Sequence, residues 1–335
     1  MKKDDDNRQQ QQIHRELSAI DSLLRNKEFA FAIAKAEHNA YYANIGATPP
    51  PFLESGDDTA KVIITRKDEK IAINLAGFYA LECGLGALCA QSDQKPTDML
   101  QAIINNKVDS ATFLLLNRFA NATWKAGQPF QGLDRIERSV FTMASFLPKD
   151  EVQKDYDQIQ AAAEKLQIAM QDVRNGSLND QMSKLRSLLQ SESFAAEIAS
   201  HLDASYYKGQ QKPVHPFLSP EDETATVTKS VKEQKIATNL AGFYALTCGL
   251  DYLATTQQKL PSDILESINN NTIGQKDKQL LNRFANATWR AVQPFRGLNR
   301  ITCNTFAPFY FLTEADIEKD WVQVKAVAVE VRRRL

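Results

Sequence analysis

Residues 115–130 read Leu-Leu-Asn-Arg-Phe-Ala-Asn-Ala-Thr-Trp-Lys-Ala-Gly-Gln-Pro-Phe, a helical pattern with an unusual polar set. At about 100° per residue, Leu115, Phe119, Ala122 and Ala126 share one face, while Asn117, Asn121 and Trp124 share the other, flanked by Arg118 and Lys125. A face that only meets water usually carries Glu and Lys. Asn has low helix propensity and Trp joins a large apolar area to one N–H donor, so this set suits a face covered by something. The chemistry it offers is recognition: Arg118 and the amides donate to an anion or a carbonyl group while Trp124 stacks on it. Gln128 precedes Pro129, which disfavours the α conformation, so the helix should end there and let Gln128 or Arg135 turn back toward the same face.

The block occurs twice. With an offset of 165, Asn282, Arg283, Asn286, Trp289, Gln293 and Arg300 repeat these residues, and 18 of the 22 positions in 115–136 are identical to their partners. The offset also aligns Asn74 and Asn239 within two copies of Asn-Leu-Ala-Gly-Phe-Tyr-Ala-Leu, Tyr41-Tyr42 with Tyr206-Tyr207, and Cys83 with Cys248. Asn74 and Asn239 lie among apolar residues and need hydrogen-bond partners, in the protein or in a ligand. The shared face has two readings: a seam that packs against neighbouring helices or the other copy, or a groove that binds a ligand. Loss of binding without loss of fold in Trp124→Ala would favour the groove, and unfolding would favour the seam.

The elements that must position these residues read as helices. Each copy opens with a long helical pattern, Ile13 to Ala43 and Leu178 to Lys208, rich in good helix formers. A proline-bearing loop follows, then central helices over Lys70–Ala90 and Lys235–Ala254 that are apolar all round and therefore buried. Shorter helices start at Pro96 and Pro261, and in the first copy more are expected over 111–127, 131–146 and 149–173. No run alternates as a convincing strand. The expectation is an all-α fold: a tandem duplication of a multi-helix bundle module, residues 13–174 and 178–335, two copies packed with pseudo-two-fold symmetry, after a disordered segment at 1–12. The turn composition Asn175-Gly176-Ser177 marks the boundary.

Other chemistries are disfavoured. No histidine has a histidine at its repeat partner, and no metalloprotease, phosphate-loop or serine-hydrolase motif occurs. Buried free thiols are the reading for the cysteines, with no CxxC pair to build a metal site. Asp57-Asp58 and Asp222-Glu223 read as helix N-caps and dipole partners, with a divalent cation as the lesser reading. A net charge of -1 favours neither a polyanion nor a membrane surface. No secretory signal or bilayer-spanning stretch is legible, so the chain reads as cytoplasmic, with no cofactor, no nucleic acid and no membrane among its associates. The leading expectation is a non-catalytic helical interaction protein with a protein partner, an adaptor, regulator or inhibitor-like binder. The alternative is a sensor of a small anionic ligand with two related pockets lined by the Asn/Arg/Trp residues. An enzyme working through carboxylates or arginine without histidine ranks third.

Overall fold

The computed structural model describes residues 2–91, 94–209, 211–213 and 215–335. The fold is predominantly helical. The first half contains α1 (Lys2–Leu24), α2 (Lys27–Asn44), strand β1 (Lys61–Thr65), α3 (Arg66–Asn74), α4 (Ala76–Gln91), α5 (Pro96–Ile104), α6 (Ser110–Gly127) and α7 (Lys149–Ala169). The second contains α8 (Leu178–Leu189), α9 (Glu192–Gly209), α10 (Pro220–Thr224), strand β2 (Thr226–Ser230), α11 (Val231–Thr238), α12 (Ala241–Gln257), α13 (Pro261–Asn269), α14 (Gln275–Val292) and α15 (Glu314–Arg332).

Local chemistry explains where the elements break. The long opening pattern is two helices in each half, because Asn26 and Ser191, 165 apart, accept from the N–H groups of Phe29 and Phe194 and start new helices. The segment 1–12 expected to be disordered continues α1 back to Lys2; Met1 lies outside the described residues. The central helix also divides. Asn74 donates to Lys70 O at 3.0 Å and Asn239 to Lys235 O at 2.8 Å, side-chain bonds that compete with the helical ladder, and α3 meets α4 at a bend of about 40°. The helix expected over 131–146 is instead a chain of 3-10 turns, since Pro129 and Gly132, with φ of 143°, interrupt α geometry.

The five-residue strands β1 and β2 correct the expectation of no sheet. They pair antiparallel with Ile63 opposite Thr228, two positions 165 apart, and the bonds continue as Arg66 N–H to Ala225 O and Val231 N–H to Ala60 O.

At the centre, α4 packs on α6 and α12 on α14, and these pairs pack on each other across α6–α12, α4–α14 and α6–α14. Gly84 and Gly249 permit the close approach: a Cβ at either would lie 2.5 Å or 2.4 Å from the Cδ2 of Leu116 or Leu281. The opening hairpins cross over. α1–α2 covers α11, α12, α13 and α15, whereas α8–α9 covers α3, α5 and α7. One continuous apolar core, running from Ile13 to Val331, therefore contains side chains from both halves of the chain. Among the described residues no single helix is long and apolar enough to cross a membrane; the bent α3–α4 pair qualifies on length and composition only, and most of α4 is buried.

Candidate functional site: two polar clusters inside the core

Helix α6 carries Arg118, Asn121 and Lys125 on one stripe, at the i, i+3 and i+7 spacing that aligns side chains along a helix. Two of their partners, Asp251 and Cys248, come from the other half. Arg118 Nε lies 2.7 Å from Asp251 Oδ2 of α12, and its Nη2 donates to Ser145 Oγ at 3.0 Å; Ser145 in turn donates to Asp251 from its backbone N–H at 3.1 Å and from its hydroxyl. Lys125, wholly buried, donates to Asn121 Oδ1, which also accepts from Cys248 Sγ at 3.6 Å. Asp155 of α7 lies in the field of Lys125 and Arg118.

Helix α14 repeats the stripe with Arg283, Asn286 and Arg290. Arg290 pairs with Glu82 of α4 and donates to Asn286, and all three side chains are buried. Asp320 of α15, the counterpart of Asp155 at the same offset of 165, bonds to Asn286.

The clusters differ in one instructive way. Thr247 stands where the first half has Glu82, and Gly86 stands where the second half has Asp251. Each cluster thus keeps two cationic side chains and one firmly paired acid, supplied by α12 in the first and by α4 in the second. A buried cation needs such a partner to offset its lost hydration. The cluster in which Thr247 replaces the acid has Lys125 as its second cation, which can shed its charge, and burial lowers its pKa. The cation beside Glu82 is Arg290, which keeps its charge. Arg283, which among the described residues forms no ion pair, stacks 4.3 Å from the centre of the Phe309 ring, and its buried Nη1 has no hydrogen-bond partner among those residues.

Burial pushes the carboxyls of Asp155 and Asp320 up to about 7, against the pull of Lys125 and Arg118 on one and of Arg290 on the other. It also raises the thiols of Cys83 and Cys248, which are therefore protonated packing groups.

The structure distributes the other expected residues. Asn117 and Asn282 are buried; Asn117 bonds to Phe113 O at 2.9 Å, and the Oδ1 of each amide has no partner among the described residues. Trp124 and Trp289 are half-buried against Phe141 and Phe306, with ring centres 6.1 Å and 5.9 Å apart. Arg135 does turn back to Gln128, donating to Oε1 at 2.7 Å, but beyond the helix end and near Glu69, away from the Arg118 pair. Gln293 bonds to Trp289 O at 3.4 Å and Arg300 is exposed. Asn74 and Asn239 are satisfied by their own helices and join neither cluster.

Four clefts among the described residues are lined by none of these side chains. One of them lies between the ribbon and the Phe130 and Phe295 rings, lined also by Val62, Ile64 and Lys229.

The acidic patches also face the other half. Asp57 pairs with Lys235 at 2.7 Å and Asp222 with Lys70 at 2.6 Å; Asp58 pairs with Lys232 at 2.9 Å and Glu223 with Lys67 at 2.8 Å. Each pair has its counterpart at the offset of 165, so all four carboxylates are paired with lysines of the other half.

Sequence reasoning placed Lys125 on the flank of the face and missed Glu82, Asp251, Asp155 and Asp320 as members of the clusters. For the last two a signal existed: Lys154-Asp155 and Lys319-Asp320 match in a stretch where the copies otherwise diverge. No family model matches the chain, and neither does any curated protein or solved structure.

Proposed function

We propose that the chain is a duplicated, non-catalytic interaction protein, in which two modules, residues 13–174 and 178–335, pack about a pseudo-two-fold axis and present a composite outer surface to a protein partner. One observation carries the symmetry. Residues meet their own counterparts: Ile63 faces Thr228, Phe119 stacks on Phe284 at 4.1 Å, and Phe130 on Phe295 at 5.0 Å. Self-pairing of equivalent positions is what a two-fold axis passing between them produces. On this reading the Asn/Arg/Trp blocks are the seam. Arg118, Asn121 and Arg290 spend their hydrogen bonds inside the protein, which leaves recognition to the exterior. There Tyr41 and Tyr206, counterparts at 41% and 49% exposed, stand beside Tyr42 and Tyr207 at the ends of α2 and α9. Exposed tyrosines are favoured at protein interfaces.

The test is native mass spectrometry of the full-length chain captured gently from its own host, alongside a Tyr41→Ala/Tyr206→Ala variant. A stoichiometric protein adduct that the variant loses is the expected result. An adduct that survives the double substitution would remove the tyrosines from the interface. The alternative, an anion-binding sensor, draws support from Arg283, whose counterpart Arg118 has a carboxylate that it lacks; a small anionic adduct lost in Arg283→Gln would favour it over the interaction reading.

A further inference from the structure

In each half a short turn packs beside the arginine of the polar cluster, and the two turns are held in opposite ways. In the first half two buried carboxylates hold the turn 142–146. Asp21 accepts from Thr142 Oγ1 and from the Met143 N–H, both at 2.6 Å, and Asp251 accepts from the N–H and hydroxyl of Ser145 while pairing with Arg118. Arg25 pairs with Asp21 at 2.6 Å, so two cations there meet two acids. At the offset of 165 both acids are gone. Arg186 stands for Asp21, Gly86 for Asp251, Gln190 for Arg25, and Pro308, which has no N–H to offer, for Met143. Arg283 remains as the counterpart of Arg118. These positions therefore give the second corner two cations, Arg186 and Arg283, and no acid.

We propose that this corner docks an acidic peptide segment of a protein partner, whose carboxylates take the roles that Asp21 and Asp251 have in the first half. The proposal rests on the reading of the chain as an interaction protein and names the chemistry of its partner. Both arginines are half-buried, and among the described residues neither forms an ion pair. Each lies instead over a ring of the turn: Arg283 is 4.3 Å from the centre of Phe309, and Arg186 is 5.4 Å from that of Phe311. Stacking holds a guanidinium by its face and leaves its N–H edge to a carboxylate.

An acid from the chain itself does not reach this edge. Glu82, whose field extends to Arg283, is held by Arg290. At Gly86 the arginine fills the space, since a Cβ there would lie 2.9 Å from its Nη1, so a carboxylate has to arrive from outside. Between the two stacked rings Tyr310 is 49% exposed, with its ring edge-on to Phe311 at 5.0 Å. Arginine and tyrosine together are the side chains that anchor protein interfaces. The net charge of the whole chain is -1, so the attraction for an acidic segment is local to the corner.

Fluorescence anisotropy of labelled hexa-aspartate titrated with the full-length protein tests this, with hexa-asparagine as the uncharged control. Arg186→Gln/Arg283→Gln should weaken binding of hexa-aspartate by about tenfold or more, whereas Arg8→Gln/Arg15→Gln, which removes two exposed arginines of α1, should leave it unchanged. Should the first variant not fold, Gly86→Asp decides the matter: it gives Arg283 an internal carboxylate and should weaken binding in a folded protein. Undiminished affinity in either corner variant overturns the proposal. Displacement of the peptide by acetate at the same carboxylate concentration would also overturn it, in favour of a small anion, and tighter binding of an oligodeoxythymidylate of equal charge would do so in favour of a phosphate backbone. A host protein that stays bound to Arg186→Gln/Arg283→Gln in native mass spectra would strike the corner and leave the interaction reading standing. Absence of any host protein would strike that reading, and the peptide titration would still decide the corner.

Discussion

Glu82 and Arg290 offer the sharpest perturbation of the seam, because both side chains are almost wholly buried, at 1% and 0% exposure. In Glu82→Thr the Arg290 guanidinium keeps its charge and loses its counter-ion, and breaking such a pair from one side costs about 3–5 kcal/mol. The loss is large beside a total stability of about 5–15 kcal/mol, so it is measurable by urea denaturation. The first cluster has already solved the problem differently, with Thr247 at the position of Glu82 and Lys125 at that of Arg290. Grafting that solution, Glu82→Thr with Arg290→Lys, should restore about 2–3 kcal/mol relative to the sum of the two single losses, since a buried lysine can deprotonate where an arginine cannot. The converse graft, Thr247→Glu with Lys125→Arg, should likewise beat the sum of its parts. Additivity within about 0.5 kcal/mol in both cycles would refute the idea that acid and cation are matched within each cluster.

Gly249→Ala places a methyl group 2.4 Å from Leu281 Cδ2 and should cost about 1–3 kcal/mol through separation of α12 from α14, seen as a lowered Tm. Gly86→Asp supplies the carboxylate that Arg118 has and Arg283 lacks; replacing a mid-helix glycine adds to the effect, so the Tm should rise, by about 1 kcal/mol of stability, and a fall would show that the Phe309 stack already satisfies Arg283. The pairs Asp57–Lys235 and Asp222–Lys70 hold these carboxylates below their ordinary pKa range. Their contribution is present above that range and is lost as pH falls through the depressed values, so Lys70→Ala/Lys235→Ala should lower stability at neutral pH and leave it unchanged below the depressed values, which flattens the acid limb of a stability–pH profile.

Helix content was legible because the periodic signal is local: Pro96 and Pro261 begin α5 and α13, and Asp109 caps α6. Asn26 and Ser191 were legible in principle as N-caps, but the helical pattern runs across them without a change of period. The strand Lys61-Val-Ile-Ile-Thr65 offers only a short β-branched run, and its partner lies in the other copy, so no neighbouring sequence announces the pairing. Asn117, Arg118, Asn121 and Trp124 were picked out because they are unusual on a helix, and the inference that something covers them rests on propensity alone. What covers Arg118 is Asp251, a residue whose counterpart is Gly86, so searching for acids shared by both copies passes over it. The same holds for Glu82 and Thr247. Complementary charges supplied by the opposite copy leave no matched positions to find.

The central claim is that the copies meet through their own counterparts, and the ribbon tests it most directly. In a Cys303→Ser background, which removes the exposed native thiol, the Ile63→Cys/Thr228→Cys variant places two thiols at facing, exposed positions of β1 and β2. Mild oxidation of the folded protein should form an intramolecular disulfide in nearly every molecule, read as a loss of two mass units with no change in oligomeric state. Two thiols that remain free, or that link only between chains, would contradict the account.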